Sequence, residues 1–151
     1  MWVSVFRLSK GAEYAIRGLV YIAGKKGADV AYVEEIAMAR GIPRAYLSKL
    51  LQSLAKKGLL KSYRGQEGGF VLARNAREIT LLEIIEAVEG QIYFNECLVR
   101  NGLCDREEIC PVHDIWKECL NKFIETLGGY SVASVAEREL VLRKKGLNRP
   151  E

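Results

Sequence analysis

Apolar residues along the chain follow helical spacing over most of its length. From about Ser9 to Ala23, Ala12, Ile16, Leu19, Val20 and Ala23 make an apolar stripe behind a plausible serine N-cap, and Gly24-Lys25-Lys26-Gly27 ends it. A short second helix spans Val33 to Arg40, closed by Gly41 where a left-handed residue stops a helix. Ile42-Pro43 then opens a third, from about Pro43 to Lys57, with the proline in its first turn. Leu47, Leu50, Leu51 and Leu54 fall on its inner face, leaving Arg44, Ser48, Lys49, Gln52, Lys56 and Lys57 outside. Two helices around a tight Gly-Ile-Pro turn, the second polar and basic outside, predict a helix-turn-helix.

The period then changes. Leu59–Tyr63 and Phe70–Ala73 are short apolar runs around a glycine-rich tip that carries Arg64, the pattern of a β-hairpin. After a helix-turn-helix such a hairpin is a wing, whose glycines allow close approach to a sugar-phosphate backbone. Thr80 caps a further helix through Val88, with Leu82, Ile85 and Val88 inward. A long helix from Pro111 to about Leu127 carries Ile115, Trp116, Cys119, Leu120, Phe123, Ile124 and Leu127. That stripe is too wide for docking on one small domain and predicts a two-helix dimer seam, with Cys119 a buried structural cysteine. Ser131 caps a last helix through about Arg143. The predicted fold is mainly α with a small β-hairpin wing: a winged helix-turn-helix domain plus a long dimerisation helix. Its expected divisions are residues 1–90 for DNA binding, 91–112 for a cysteine-rich loop, 113–145 for dimerisation and C-terminal packing, and 146–151 for a polar tail.

Charge sharpens this picture. Residues 1–75 hold thirteen Lys and Arg against five Asp and Glu, a net of +8, whereas residues 76–151 hold ten against fourteen, a net of −4. A basic N-terminal half is the footprint of a polyanion partner, here double-stranded DNA. On the third helix Arg44 and Lys49 suit guanine and Gln52 suits adenine, with Ser48 beside them in the major groove. Lys10 and Tyr46 suit phosphate contacts, which position without specifying, and Arg64 suits a narrow minor groove. No run of about 18 apolar residues predicts a membrane span, and the N-terminus lacks signal-peptide character, so a cytoplasmic protein is expected.

Candidate chemistry is concentrated in one loop. Three of the four cysteines and the single histidine stand within seventeen residues, as Cys97-x6-Cys104-x5-Cys110-Pro-Val-His113. Soft ligands on a short tether point to iron–sulfur or zinc, and the spacing alone does not separate the two. His113 lies about one helical turn past Cys110. Enzymatic arrangements are missing: no Ser/His/Asp set, no paired carboxylates, and no lysine after the Gly65–Gly69 turn as a phosphate loop needs. A small iron–sulfur electron carrier or scaffold would explain the cysteines but leave the wing and the basic half without purpose.

The ordered motifs resemble the IscR/NsrR-type family of bacterial winged-helix regulators. They are Arg7–Arg17 (RLSKGAEYAIR), Tyr46–Leu51 (YLSKLL), Tyr63–Phe70 (YRGQEGGF), Ile79–Gly90 (ITLLEIIEAVEG) and the three-cysteine loop, together covering roughly residues 7–140. The resemblance implies a homodimer on a palindromic operator, with an iron–sulfur cluster on Cys97, Cys104 and Cys110 as redox, nitric oxide or iron sensor. It offers two fourth ligands. His113 would suit a 2Fe–2S cluster and is favoured; Glu13, brought across the dimer, would suit 4Fe–4S. Two positions depart from the family pattern: Glu67 stands where the wing often has proline, and Ser48 where some members use glutamate to discriminate operator classes. Zinc binding or thiol oxidation on the same fold is the alternative.

Overall fold

The computed structural model describes residues 8–25, 29–63 and 68–146. Helix α1 (Lys10–Gly24) starts at Ser9, whose hydroxyl accepts from the Ala12 amide at 3.2 Å. It is buried on more than the expected stripe. Gly11, Ala15, Gly18 and Ile22 are covered as well, while Ile16 and Ala23 are only half-buried. The reason is its central position: α1 packs against helices on several sides, with Leu47 and Leu51 of the third helix lying over Gly18.

The helix-turn-helix is α2 (Val33–Arg40) and α3 (Arg44–Lys56). Gly41 joins them at φ 62°, a left-handed conformation that costs glycine little. Pro43 sits at the N-cap rather than in the first turn, because its carbonyl accepts the first helical bond, from Leu47 N at 2.9 Å. Leu47, Leu51 and Leu54 are fully buried, Leu50 partly.

The wing strands are β2 (Leu60–Tyr63) and β3 (Gly69–Leu72), antiparallel with Leu60 opposite Leu72 and Tyr63 opposite Gly69. A two-residue strand absent from the sequence-based expectation, β1 (Ala31–Tyr32), pairs with the other edge of β3, giving the order β1-β3-β2 among the described residues. Gly69 makes this possible. A Cβ there would lie 2.1 Å from Val30 Cγ1 and 3.3 Å from the Ala31 carbonyl oxygen. The wing tip, residues 64–67, lies outside the described residues.

Helix α4 (Leu81–Glu89) is capped by Thr80, whose hydroxyl accepts from Glu83 N at 3.2 Å. Two short 3₁₀ turns, Glu96–Leu98 and Glu107–Ile109, interrupt the loop to α5 (His113–Gly129). Helix α5 docks through Leu120, Phe123, Ile124 and Leu127 and leaves Ile115, Trp116 and Cys119 exposed. Cys119 is therefore not the buried structural cysteine expected; it lies on the outward face of the helix. Helix α6 (Val132–Lys144), capped by Ser131, returns across α1 and places Val132 and Ala136 in the same core as Leu19, Ile36 and Leu47. Its start is clamped to that of α4 by two backbone bonds, Leu81 N to Tyr130 O at 2.9 Å and Val132 N to Ile79 O at 2.8 Å.

One polar link crosses this core. Arg40, at the end of α2, makes a two-pronged ion pair with Glu139 of α6, and its guanidinium lies 5.5 Å from the centre of the Tyr21 ring. Arg143 also reaches Glu139, at 3.1 Å. These cations hold the Glu139 carboxyl down at about 2 against an ordinary 4.5, the Arg40 hydrogen bond being the main cause.

Candidate DNA-reading face and metal site

Helix α3 exposes Arg44, Tyr46, Lys49 and Gln52 on the side away from its leucines, with Ser48 half-buried. Arg44, Ser48 and Gln52 line a groove of about 280 Å³ whose other wall is Ser62, Tyr63 and Gly68–Phe70 of the wing. A second, more open groove runs from Gln52 and Lys56 to Lys61, Ser62 and Tyr63. Sequence reasoning named the α3 side of these grooves and missed the β2 side. The signal was available: after Leu60, strand β2 carries only polar or amphipathic residues, all exposed.

Tyr46 does more than face solvent. Its ring meets Tyr14 of α1 edge-on, with centroids 5.7 Å apart, and its hydroxyl lies 2.9 Å from where a Cβ on Gly11 would be. Glycine at 11 thus admits the tyrosine that ties α1 to α3. Lys10 is engaged with Glu13 at 2.9 Å, so the proposed phosphate contact and the rival fourth ligand are partners of each other. Arg44 pairs with Glu34 at the start of α2. Arg64 lies outside the described residues.

In the cysteine loop Cys97, Cys104 and Cys110 are half-buried free thiols. Among the described residues no three His, Cys, Asp or Glu side chains converge to hold a metal ion. The expected ligand set is therefore close in sequence and not assembled in space.

His113 nevertheless carries an unspent atom. Its side chain is 14% exposed, Nε2 lies 3.8 Å from Glu107 Oε1, and Nδ1 is buried without a hydrogen-bond partner. Glu107 is itself held, accepting from Gly102 N at 2.7 Å. A buried ring nitrogen left unpaired costs about 1–3 kcal/mol, which a bond to a metal would remove. Three thiols and this imidazole are the donor chemistry of an iron–sulfur or zinc site, so the residues fit such a group in kind.

Among the described residues no helix is long and apolar enough to cross a membrane. A family model described as Rrf2, iron-dependent transcriptional regulator, matches residues 8–138. Protein aau3 of Rhizobium meliloti is 35% identical over 127 residues, covering 83% of this chain and 82% of its own. The HTH-type transcriptional regulator IscR of Xenorhabdus nematophila is 29% identical over 136 residues, 90% of this chain and 82% of its own. Among solved structures, CymR, the global cysteine regulator of B. subtilis, superposes with a TM-score of 0.74 at 25% identity, covering 89% of this chain and 98% of that one. With its winged helix-turn-helix fold and this match, the chain belongs to the Rrf2 family: it is a DNA-binding transcriptional regulator, not an enzyme.

Proposed function

We propose that the protein is a homodimer whose affinity for a palindromic operator is set by an iron–sulfur cluster on Cys97, Cys104, Cys110 and His113. The buried, unpartnered Nδ1 of His113 inside the cysteine loop carries this reading. Glu107 faces the other ring nitrogen, Nε2, at 3.8 Å, so Nδ1 is the donor left over for the cluster. Glu13, the rival fourth ligand, has its carboxylate engaged by Lys10. That favours His113, and with it a 2Fe–2S rather than a 4Fe–4S cluster. When bound, the cluster supplies a centre that responds to redox state, nitric oxide or iron supply.

The chain's own elements then carry the response. The cysteine loop joins α4 to α5, and the exposed Ile115 and Trp116 of α5 form the seam with a second copy. Helix α6 continues from α5 back to the core and is tied to α2 through Glu139 and Arg40. A change in the loop thereby alters α5, and with it the spacing of the two α3 helices on successive major grooves. There Arg44 and Lys49 contact guanine and Gln52 adenine, with Ser48 between them. Lys10 and Tyr46 contact phosphate, and Arg64 enters the minor groove.

The test is anaerobic purification with iron, sulfide and visible absorbance measured on one sample, followed by operator titration. Cys104→Ala is expected to abolish the colour and change operator affinity severalfold; an unchanged binding curve refutes cluster control. His113→Ala is expected to perturb the absorbance and Glu13→Ala to leave it. The reverse result would give the fourth position to Glu13.

A second reading, control by thiol oxidation, is favoured by the likeness to CymR, a cysteine regulator, and by three free thiols that do not converge; zinc on the same residues is its variant. It predicts a colourless protein whose DNA binding responds to peroxide or to a chelator.

A further inference from the structure

Beside helix α3 stands a carboxylate with no part in holding a cluster or in the core. Glu34 and Glu35 both lie in the first turn of α2, where acidic residues favour the helix dipole. Glu35 has local tasks: it accepts from Tyr32 N at 3.0 Å and pairs with Lys25. Glu34 instead reaches across the turn to α3, its Oε2 2.5 Å from Arg44 Nε. The two side chains are 65% and 64% exposed, so the pair contributes little to stability. Its position is what matters. Helix α3 begins at Arg44 with no acidic residue in its first turn and no side-chain cap from Pro43. A helix N-terminus that also carries a guanidinium attracts any phosphate, whatever the sequence of the DNA.

We propose that Glu34 is a specificity-determining residue: it occupies Arg44 Nε in the place a phosphate would take, reserving the guanidinium for guanine. An arginine carries five donors, so Nε can stay on the carboxylate while the two Nη groups meet guanine O6 and N7. A phosphate has to compete with a carboxylate already in place and is repelled by it. A base edge carries no net charge and meets no such penalty. This inference rests on the assignment of Arg44 to a base.

The experiment first selects a preferred site for the wild-type dimer from a randomised duplex library. Affinities of wild type, Glu34→Gln, Arg44→Ala and the double variant are then measured on that duplex and on a scrambled one across a salt series. Folding of each variant is checked by thermal melting. Glu34→Gln is expected to bind scrambled DNA severalfold tighter, with the slope of log affinity against log salt steeper by about 1 for each added phosphate contact. Discrimination between the two duplexes should fall about fivefold or more, consistent with loss of part of one good base contact. Repeated selection with Glu34→Gln should show a weakened guanine preference. In the Arg44→Ala background the Glu34 effect should largely vanish. Equal tightening on both duplexes with guanine preference intact overturns the proposal, as does the same gain without Arg44. If Arg44→Ala itself leaves the guanine preference unchanged, the assignment of Arg44 fails and the role of Glu34 falls with it. If Arg44→Ala abolishes that preference while Glu34→Gln does nothing, only the role of Glu34 is lost.

Discussion

Replacing Glu139 with glutamine removes the charge that joins α6 to the helix-turn-helix, and the structure sets the size of the effect. The carboxyl sits at about 2 instead of 4.5, a difference worth at most about 3 kcal/mol at neutral pH. The Glu139 side chain is 30% exposed and Arg40 12%, so solvent screening reduces the expected cost to about 2 kcal/mol. Part of that cost is the Arg40 guanidinium left behind, whose Nε is buried and unpartnered even in the intact pair. For a chain of 151 residues the change corresponds to a melting temperature lower by roughly 4–8 °C. The sign of the pH dependence follows from a lowered folded-state pKa. The stabilisation is complete above the unfolded value of 4.5 and is lost as pH falls from there towards about 2. Urea melts of wild type and Glu139→Gln at fixed protein concentration, from pH 7 down to pH 3, should show the gap shrinking to roughly half. A cycle with Arg40→Gln should give a coupling energy of about 1–2 kcal/mol at pH 7. A gap that stays the same at pH 3, or a coupling within about 0.3 kcal/mol of zero, would refute the argument.

Two further outcomes follow from packing. Gly69→Ala should lower stability by about 1–3 kcal/mol by driving a methyl group against Val30 and the Ala31 carbonyl, measured as a lower urea midpoint; an unchanged midpoint would mean β1 yields at no cost. In the proposed dimer, Ile115→Glu places a charge on the exposed apolar face of α5 and should give a monomer by sedimentation with helical content retained. A dimer that persists would remove α5 from the seam.

Much of this architecture was legible in short windows of sequence. Ser9, Thr80 and Ser131 each announce a helix because the amide that donates to a capping hydroxyl lies only three residues on. Leu47, Leu51 and Leu54 declare the inner face of α3, and Gly41 the turn before it, for equally local reasons. The metal-site candidates were legible as residue types on a short tether, and the candidate DNA-reading residues as the polar face of one helix. What stayed hidden was pairing between distant segments. Strand β1 is two residues long and exists because β3 passes beside it at a glycine, a fact no local propensity contains. Nothing in the pattern of α6 says that Val132 and Ala136 complete the core built by α1, or that Glu139 meets Arg40 ninety-nine residues earlier. Glu34 beside Arg44 and Glu107 beside His113, though only ten and six residues apart, depend in the same way on how the chain folds back through a turn. Side-chain periodicity and capping follow from backbone geometry within a few residues and can be read from the chain. Which charge stands opposite which, and what covers each outer face, depends on how whole elements dock, and only the folded arrangement supplies that.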